Sequence, residues 1–566
     1  MDLHFLNFGP TEAERSAVDG LPPGRDQLLP ALHAVNDRIG WISQGALNHI
    51  CQKLEIPPAD AYGVASFYSL FSLTERPPRI VRVCTDLACQ VNGAEQVYNA
   101  LDGVAIERSP CLGVCERAPA ALAFEAGDPP VERLIAPATA EKITEMSEVD
   151  EPPKIRQREG LRLLRRIGVV DPESLDDYRA TGGYTALRTA LLLGPAGVIR
   201  EVTDSGLMGR GGAAFPTGRK WDATARQPVS PHYLVCNADE SEPGTFKDRV
   251  LIEGDPFALI ESMTIAAFAT GASKGYIYLR GEYPRAFRLL RGAIEKAREF
   301  GYLGTDIMGH TGFRFDIEIR RGAGAYICGE ETAIFNSIEG YRGEPRTKPP
   351  FPVEKGLFGK PTVVNNVETL VNVPLILTEG CEAYRRIGTE RSTGTKLFCL
   401  SGNVREPGVY EVPFGVTLGE LLDLAGGVPG ELKAVLLGGA AGGFVRPDEL
   451  DLRLTMEDAR EAGTTLGSGV VLALDDQADV GAFLLRIAAF FRDESCGQCV
   501  PCRIGTVRQE EALHRIVGGR RLGDDLTVLR DVGQVMRDSS ICGLGQTAWN
   551  AIESAIDRLG LLKEKP

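Results

Sequence analysis

Eight of the thirteen cysteines fall into two sets of four whose spacing suits metal chemistry. The first set is Cys84 and Cys89 (C-x4-C), then, after 21 intervening residues, Cys111 and Cys115 (C-x3-C). Two close thiolate pairs on two loops can surround a [2Fe–2S] cluster, which takes four soft ligands. Structural zinc also takes cysteines as two close pairs, so this spacing leaves both open. The second set is Cys496, Cys499 and Cys502 (C-x2-C-x2-C), with Cys542 some forty residues later. Three cysteines spaced by two residues and a remote fourth are a [4Fe–4S] pattern, whereas zinc cysteines come as two separated pairs. The other five (Cys51, Cys236, Cys328, Cys381 and Cys399) are scattered. Together the thirteen read as metal ligation in a reducing compartment, not as secreted disulfides.

A second kind of chemistry is written in glycine and acid. SGLMGRGGAAFPTGRKW (Ser205–Trp221) holds five glycines in 17 residues and ends in Arg219 and Lys220. Without Cβ atoms, Gly209, Gly211 and Gly212 can bring backbone N–H groups onto a phosphate, although such loops are often only turns. Three further blocks keep it company: CNADESEPGTFKDR (Cys236–Arg249), GAGAYICGEET (Gly322–Thr332) and KPTVVNNVETL (Lys360–Leu370). Each puts Gly, Asn or clustered acids at the end of an apolar run. Asp239, Glu240, Glu242, Glu330 and Glu331 stand where strand ends of an α/β sheet would place a site; a solvated acidic face is the plainer reading. The six histidines show no ligand spacing, and there is no Ser/His/Asp set.

These four blocks and the second cysteine set resemble the NADH-oxidising flavoprotein subunit of respiratory complex I and its relatives in NAD-linked hydrogenases and formate dehydrogenases. The resemblance runs from about Arg165 to Leu562. A separate one, strongest at CLGVCERAP (Cys111–Pro119), is to the thioredoxin-like [2Fe–2S] subunit, a separate chain in complex I. The first resemblance implies that Gly209, Arg210, Gly211, Gly212, Lys220, Asn237, Asp239, Glu240, Gly329, Glu330, Asn365 and Asn366 cradle FMN. Glu242, Glu331, Lys348, Phe215 and Phe351 would bind NADH, the two rings gripping its adenine. The chain departs from the family at Met208, where Arg is frequent, at Ala214, where Gly is frequent, and at Ala223, near a usual aromatic; the last puts one adenine contact in doubt. Carboxylates hydrogen-bond ribityl or ribose hydroxyls, and beside a ribose they would favour NAD over NADP.

The implied parts fit one chemistry. Nicotinamide exchanges a hydride, a cluster exchanges one electron, and a flavin handles both. The [4Fe–4S] cluster would then exchange electrons with FMN, and the [2Fe–2S] cluster would be a side store or a second route. Glycine N–H groups at Gly497, Gly505 and Gly543 are expected to reach the sulfurs. No site for a second substrate is visible, so a partner must supply it, with a molybdenum, tungsten or nickel–iron centre and further iron–sulfur subunits. Fusion of the two modules resembles NAD-dependent formate dehydrogenase (its beta subunit) first, and NAD-reducing hydrogenase second, more than complex I. A free-standing NADH:acceptor reductase and a flavin-less iron–sulfur scaffold or redox sensor are the readings from other classes.

The elements that must position these groups follow from the rest of the chain. At 566 residues, 43% hydrophobic and 25% charged, it is a multidomain globular protein. A net charge of −15 argues against nucleic acid as a partner. No apolar run reaches 18 residues, and Val480–Phe491 carries Arg486, so membrane insertion is not expected. MDLHFLNFGPTEAER lacks a leader's basic and apolar regions, which points to a cytoplasmic protein. The fold class expected is multidomain α/β. A helical bundle (1–78) precedes a thioredoxin-like [2Fe–2S] domain (79–137) and a linker (138–160). An FMN/NADH-binding α/β domain (161–385) follows, then a ubiquitin-like β-grasp (SLBB-type) domain (395–475) for spacing and docking, and a helical [4Fe–4S] domain (478–566). HYLVCNA, GYIYLRGEY and FDIEIR are the strands expected in the flavin sheet, with helices Pro256–Thr270 and Pro284–Phe300 between them.

Overall fold

The computed structural model describes residues 9–146, 151–520 and 522–560. The first eight residues, part of the stretch read as lacking a leader, and the last six lie outside the described residues.

The chain opens with helices Glu12–Asp19, Leu28–Ile39, Gln44–Leu54 and Pro58–Ala65. Leu28, Leu29, Leu32 and Val35 recur at helical spacing and are buried, and Gly40, at φ 97°, ends their helix in the left-handed region. This bundle packs on the flavin domain. His33 Nε2 lies 3.1 Å from the Gly322 carbonyl, and the Tyr68 hydroxyl lies 2.6 Å from that of Ser337.

Strands β1 (Arg79–Cys84), β2 (Ile106–Ser109), β3 (Ala121–Glu125) and β4 (Val131–Ile135) form a sheet in the order β2-β1-β3-β4. Only β1 and β2 are parallel. Strand β1 delivers Cys84 at its last residue, as expected, while β3 and β4 are additions to the reading. Within the stretch expected as linker, Ala140–Glu145 is a helix whose Ile143 is buried with Val81, Val83 and Ala123, so the cover of this sheet extends to Met146.

The flavin sheet is fully parallel, in the order β7-β6-β5-β8, with β5 His232–Ala238, β6 Ala272–Leu279, β7 Asp316–Arg321 and β8 Thr362–Asn366. A parallel sheet needs both faces covered. Helix Pro256–Thr270 answers that need: every residue but Ala258 is buried. Strand β8 was not foreseen, because its last two residues, Asn365 and Asn366, break the apolar run.

Strands β9 (Thr395–Gly402), β10 (Gly408–Pro413), β11 (Leu432–Leu437), β12 (Gly443–Val445) and β13 (Val470–Asp475) form the β-grasp sheet, in the order β10-β9-β13-β11-β12. Its parallel pair is β9 with β13, and helix Leu418–Leu424, opened by a Thr417/Glu420 capping box, packs into its core. The C-terminal bundle comprises Val480–Asp493, Val500–Val517, Asp525–Ser539, Gly543–Thr547 and Asn550–Arg558. Among the described residues no helix is long and apolar enough to cross a membrane.

Candidate functional site

A cleft of about 490 Å3 opens beyond the carboxyl ends of β5 and β8, where an open α/β sheet holds its ligands. Four units wall it. The glycine loop contributes Gly211, Gly212 and Ala213; the flavin domain contributes Asn237, Asp239 to Glu242, Thr245, Lys247, Asp248, Tyr326, Gly329, Glu330 and Asn366. The β-grasp unit adds Gly438, Ala441, Thr465, Gly467 and Ser468, and the C-terminal bundle adds Gly543, Leu544, Thr547 and Asn550.

The glycine loop joins helix Thr185–Asp204 to helix Thr217–Ala225 and is closed by a Gly209 N–H bond to Phe215 O of 2.9 Å. A Cβ at Gly211 would stand 3.0 Å from that of Asn366, so a side chain there would push Asn366 aside where the loop meets the strand end. Gly212, at φ 112°, takes a conformation that side chains avoid. Ala214, where the family favours glycine, has φ 51° and bears the cost of a left-handed alanine. Arg210 turns the other way. It is fully buried and bonds the Thr393 carbonyl at 2.8 Å and the Tyr384 hydroxyl at 3.2 Å, with its guanidinium 4.6 Å from the Phe414 ring centre. It ties the loop to the β-grasp unit and does not line the cleft; nor does Gly209.

The two asparagines of β8 separate because successive strand residues face opposite sides. Asn366 lines the cleft and donates to Asp248 Oδ2 at 2.6 Å, whereas Asn365 accepts the Trp221 indole N–H at 2.9 Å on the far face. The acids diverge in the same way. Glu240 caps the helix Lys247–Gly254, accepting from Asp248 N–H (2.8 Å), Arg249 N–H (2.9 Å) and the Tyr283 hydroxyl (3.1 Å). Burial, then the neighbouring Asp248, pushes its pKa up to about 8. Its carboxylate is already occupied by the fold.

Asp239 is the opposite case. Asn237 Nδ2 donates to Gly329 O at 2.8 Å and its Oδ1 receives Asp239 N–H at 3.1 Å, which fixes Asp239 at the cleft. Its Oδ1 receives the Ser241 hydroxyl at 3.0 Å, but Oδ2 is buried without a hydrogen-bond partner. Burial pushes this carboxyl up to about 7. An orphaned buried acceptor beside bare glycine backbone is what a ligand bearing hydroxyls would satisfy.

A second group shares Glu330 with the cleft. Glu330 caps helix Glu331–Ile338, and Lys348 Nζ reaches Glu330 at 2.9 Å and Glu331 at 2.7 Å. Lys220 Nζ bonds the Val364 carbonyl at 3.1 Å, stands 3.6 Å from Glu331 and sits 5.7 Å from the Phe215 ring centre. Burial would raise Glu331, but Lys220 and Lys348 hold it below the ordinary carboxylate value. Phe215 and Phe351 are half exposed, at 50% and 53%, as rings awaiting a planar partner would be. Lys247, which sequence reading had not singled out, lines the cleft and is neutralised by Asp248 at 2.7 Å and Glu368 at 3.1 Å.

The first cysteine set comes together in the interior. Cys84, Cys89, Cys111 and Cys115 are all buried, and the sulfurs of Cys111 and Cys115 are 3.4 Å apart. Hydrogen bonds from Cys115 and Cys84 hold the Cys111 thiol below its ordinary pKa. Gly113 N–H points at Cys111 sulfur (3.4 Å), and the N–H of Gly244, from the acidic loop of the cleft, bonds the same sulfur. In the second set, Cys499 precedes helix Val500–Val517 and Cys542 precedes helix Gly543–Thr547, with the N–H groups of Leu544 and Gly545 on its sulfur. The expected roles of three glycines therefore change. A Cβ at Gly505 would meet Met536 at 2.5 Å, a packing constraint; Gly497 N–H goes to Ser495; Gly543 lines the cleft. Among the described residues no three His, Cys, Asp or Glu side chains close to the geometry of one metal ion; the two sets are recognised by their spacing and convergence.

Comparison with known proteins decides between the readings that spacing left open. Residues 202–375 match the Nuo51 FMN-binding domain, 482–560 the NADH-ubiquinone oxidoreductase-F iron–sulfur binding region, 15–146 the thioredoxin-like [2Fe–2S] ferredoxin, and 397–445 the SLBB domain. An NADH-quinone oxidoreductase subunit from Aquifex aeolicus is 47% identical over 397 residues, 70% of this chain and 92% of that one. NADP-reducing hydrogenase subunit HndC of Solidesulfovibrio fructosivorans is 45% identical over 405 residues, 71% of this chain and 82% of that one. A chain in the structure of an NAD+-reducing [NiFe]-hydrogenase superposes with a TM-score of 0.82 at 33% identity, over 96% of this chain and 92% of that one. The cofactors are thus FMN, NAD, a [4Fe–4S] and a [2Fe–2S] cluster, and the donors described above fit them. The chain belongs to the family of NADH-oxidising FMN and iron–sulfur flavoprotein subunits, oxidoreductase components of the NADH dehydrogenase type.

Proposed function

We propose that this chain is the NAD(H)-handling diaphorase subunit of a larger cytoplasmic complex whose partner carries the second substrate's metal centre. The observation that carries this reading is a cleft lined by the glycine loop, the acidic loop and the residues directly after Cys542, Gly543 and Leu544. FMN, when bound, supplies the exchange between a two-electron hydride and single electrons. Gly211 and Gly212 would present N–H groups to its phosphate, with Asn237, Asp239 and Asn366 holding its hydroxyls. Glu242, Glu331 and Lys348 would hold the nucleotide, with Phe215 and Phe351 against its adenine. No general base is needed for hydride transfer; these residues orient the reactants and exclude water.

For the partner, a fused chain of this kind leads first to formate dehydrogenase, with a molybdenum or tungsten subunit. Likeness over almost the whole chain to an NAD+-reducing [NiFe]-hydrogenase chain supports a nickel–iron partner as the second reading. Anaerobic co-purification from the native host, with flavin extraction and metal analysis of every attached chain, is the test. Molybdenum or tungsten with formate-dependent NAD+ reduction is the first outcome expected; nickel selects the second. A chain that comes away alone with zinc and no flavin sinks both.

A further inference from the structure

We propose that the β-grasp unit is part of the nucleotide site, and that Ser468 is a positioning residue holding Glu242 ready for a hydroxyl of NAD(H). The proposal rests on the NAD(H) reading above and deepens it. Glu242 Oε2 accepts the Ser468 hydroxyl at 2.8 Å, and Oε1 accepts the Ala441 backbone N–H at 3.2 Å. The Thr245 hydroxyl lies 2.8 Å from that of Ser468. A serine hydroxyl has one proton, so once it is given to Glu242, Thr245 must be the donor to Ser468. The relay therefore runs Thr245 to Ser468 to Glu242 and closes a ring between the acidic loop and two β-grasp turns.

The approach is close. Gly439 has φ 83°, and a Cβ there would stand 2.4 Å from Glu242 Oε1. Glu242, Ala441, Thr245 and Ser468 all line the cleft. An ionised carboxylate has about four acceptor sites, so the two β-grasp donors leave Glu242 free to accept a sugar hydroxyl. A glutamate side chain loses considerable rotamer freedom when fixed, and here the fixing is done before the ligand arrives. None of the β-grasp strands was expected to bring a functional group; the group comes from the turns between them.

The test uses the purified full-length holoprotein with NADH and ferricyanide. Ser468→Ala should raise KM for NADH about tenfold, the worth of one hydrogen bond to a charged group. FMN content and kcat should stay at the wild-type level, and Ser468→Thr should restore KM. In a Glu242→Gln background, Ser468→Ala should add nothing, because its partner is already altered. Full additivity of the two changes, or a joint fall of FMN content and kcat, would overturn the proposal. If the alanine variant does not fold, Ser468→Cys, similar in volume but a weak donor, carries the same comparison. A wild-type protein with FMN and both clusters but no NADH turnover would overturn the NAD(H) reading itself, and a normal wild-type KM with an unmoved Ser468→Ala variant would overturn this inference alone.

Discussion

The two cysteine sets sit in opposite surroundings. Cys84, Cys89, Cys111 and Cys115 are sealed inside, their loop pinned by the flavin domain: Arg249 Nε bonds Gly113 O at 2.7 Å and Arg280 bonds the Cys111 carbonyl. Arg486 of the C-terminal bundle adds a 3.3 Å contact to Asp86, which also accepts Cys111 N–H. Cys496, Cys499 and Cys542 are only partly buried, and Val500, Ile504 and Ile541 beside them are 58%, 48% and 43% exposed. Apolar side chains left in water around a partly exposed set mark a surface that another protein covers. The inner set is enclosed by this chain, while the outer one lies nearer its surface.

The sharpest way to break that contrast is to remove one ligand from each set. Cys499→Ser is expected to abolish electron delivery to the partner while NADH:ferricyanide turnover persists; Cys115→Ser is expected to leave delivery largely intact. Iron content, spectra and partner-linked turnover of the two variants check it, and the reverse pattern would exchange the two roles. Next in size is the seal on the inner set. Arg249 is fully buried between Glu116 and Glu253, so Arg249→Met leaves Glu116 to Arg117 alone and Glu253 to the longer contact with Arg285, and should cost about 3 kcal/mol, read as a lowered melting temperature and faster proteolysis of the N-terminal module.

Smaller again is Gly113→Ala. The residue has φ 67°, and a Cβ there would stand 2.1 Å from the Tyr283 hydroxyl. A loss of roughly 1–3 kcal/mol is expected, with [2Fe–2S] content falling and the [4Fe–4S] content unchanged; Tyr283→Phe should recover part of it. The smallest effect belongs to Asp239, on the loop shared by the cleft and the inner set. Burial raises its pKa from 3.8 to about 7, so the folded apoprotein holds a proton that the unfolded chain has released. Its contribution is fully present below pH 3.8 and is lost as pH rises to about 7. Asp239→Asn should therefore match the wild-type apoprotein at low pH and exceed its stability above pH 7, in denaturant melts across that range; the full shift would be worth roughly 4 kcal/mol, and the partial exposure of Asp239 screens it to on the order of 1–2 kcal/mol. A constant difference at all pH values would remove Asp239 as a titrating group.

How much of this was legible depended on how far each feature is a local property. Strand β5 and helix Pro256–Thr270 fell within the expected bounds because long apolar runs end at clear breakers, Asn237 and Gly271. Strand β8 escaped because it ends on Asn365 and Asn366, and β3 and β4 because five-residue strands among Pro and Gly carry little periodicity. The glycine loop, the cysteine sets and most cleft residues were visible as chemistry. Sequence could not tell a carboxylate spent on a helix cap, Glu240, from one left with an orphan oxygen, Asp239, since both stand side by side in one motif. Nor could it show Ser468, an ordinary serine in a turn, or the inward direction of Arg210; both are set by another domain.

The four-sided cleft has a consequence for how the protein is made. A ribosome delivers the chain from its N-terminus, and domains tend to fold as they emerge. Cys84 to Cys115 appear early, but the walls of the cleft span Gly211 to Asn550. Its last side can close only after Asn550 has left the exit tunnel, so a nascent chain can offer FMN no more than an open trough. Retention of the flavin is therefore a late event in biosynthesis, and a product truncated before the last helices should accumulate as a colourless precursor with respect to flavin, whatever its iron content.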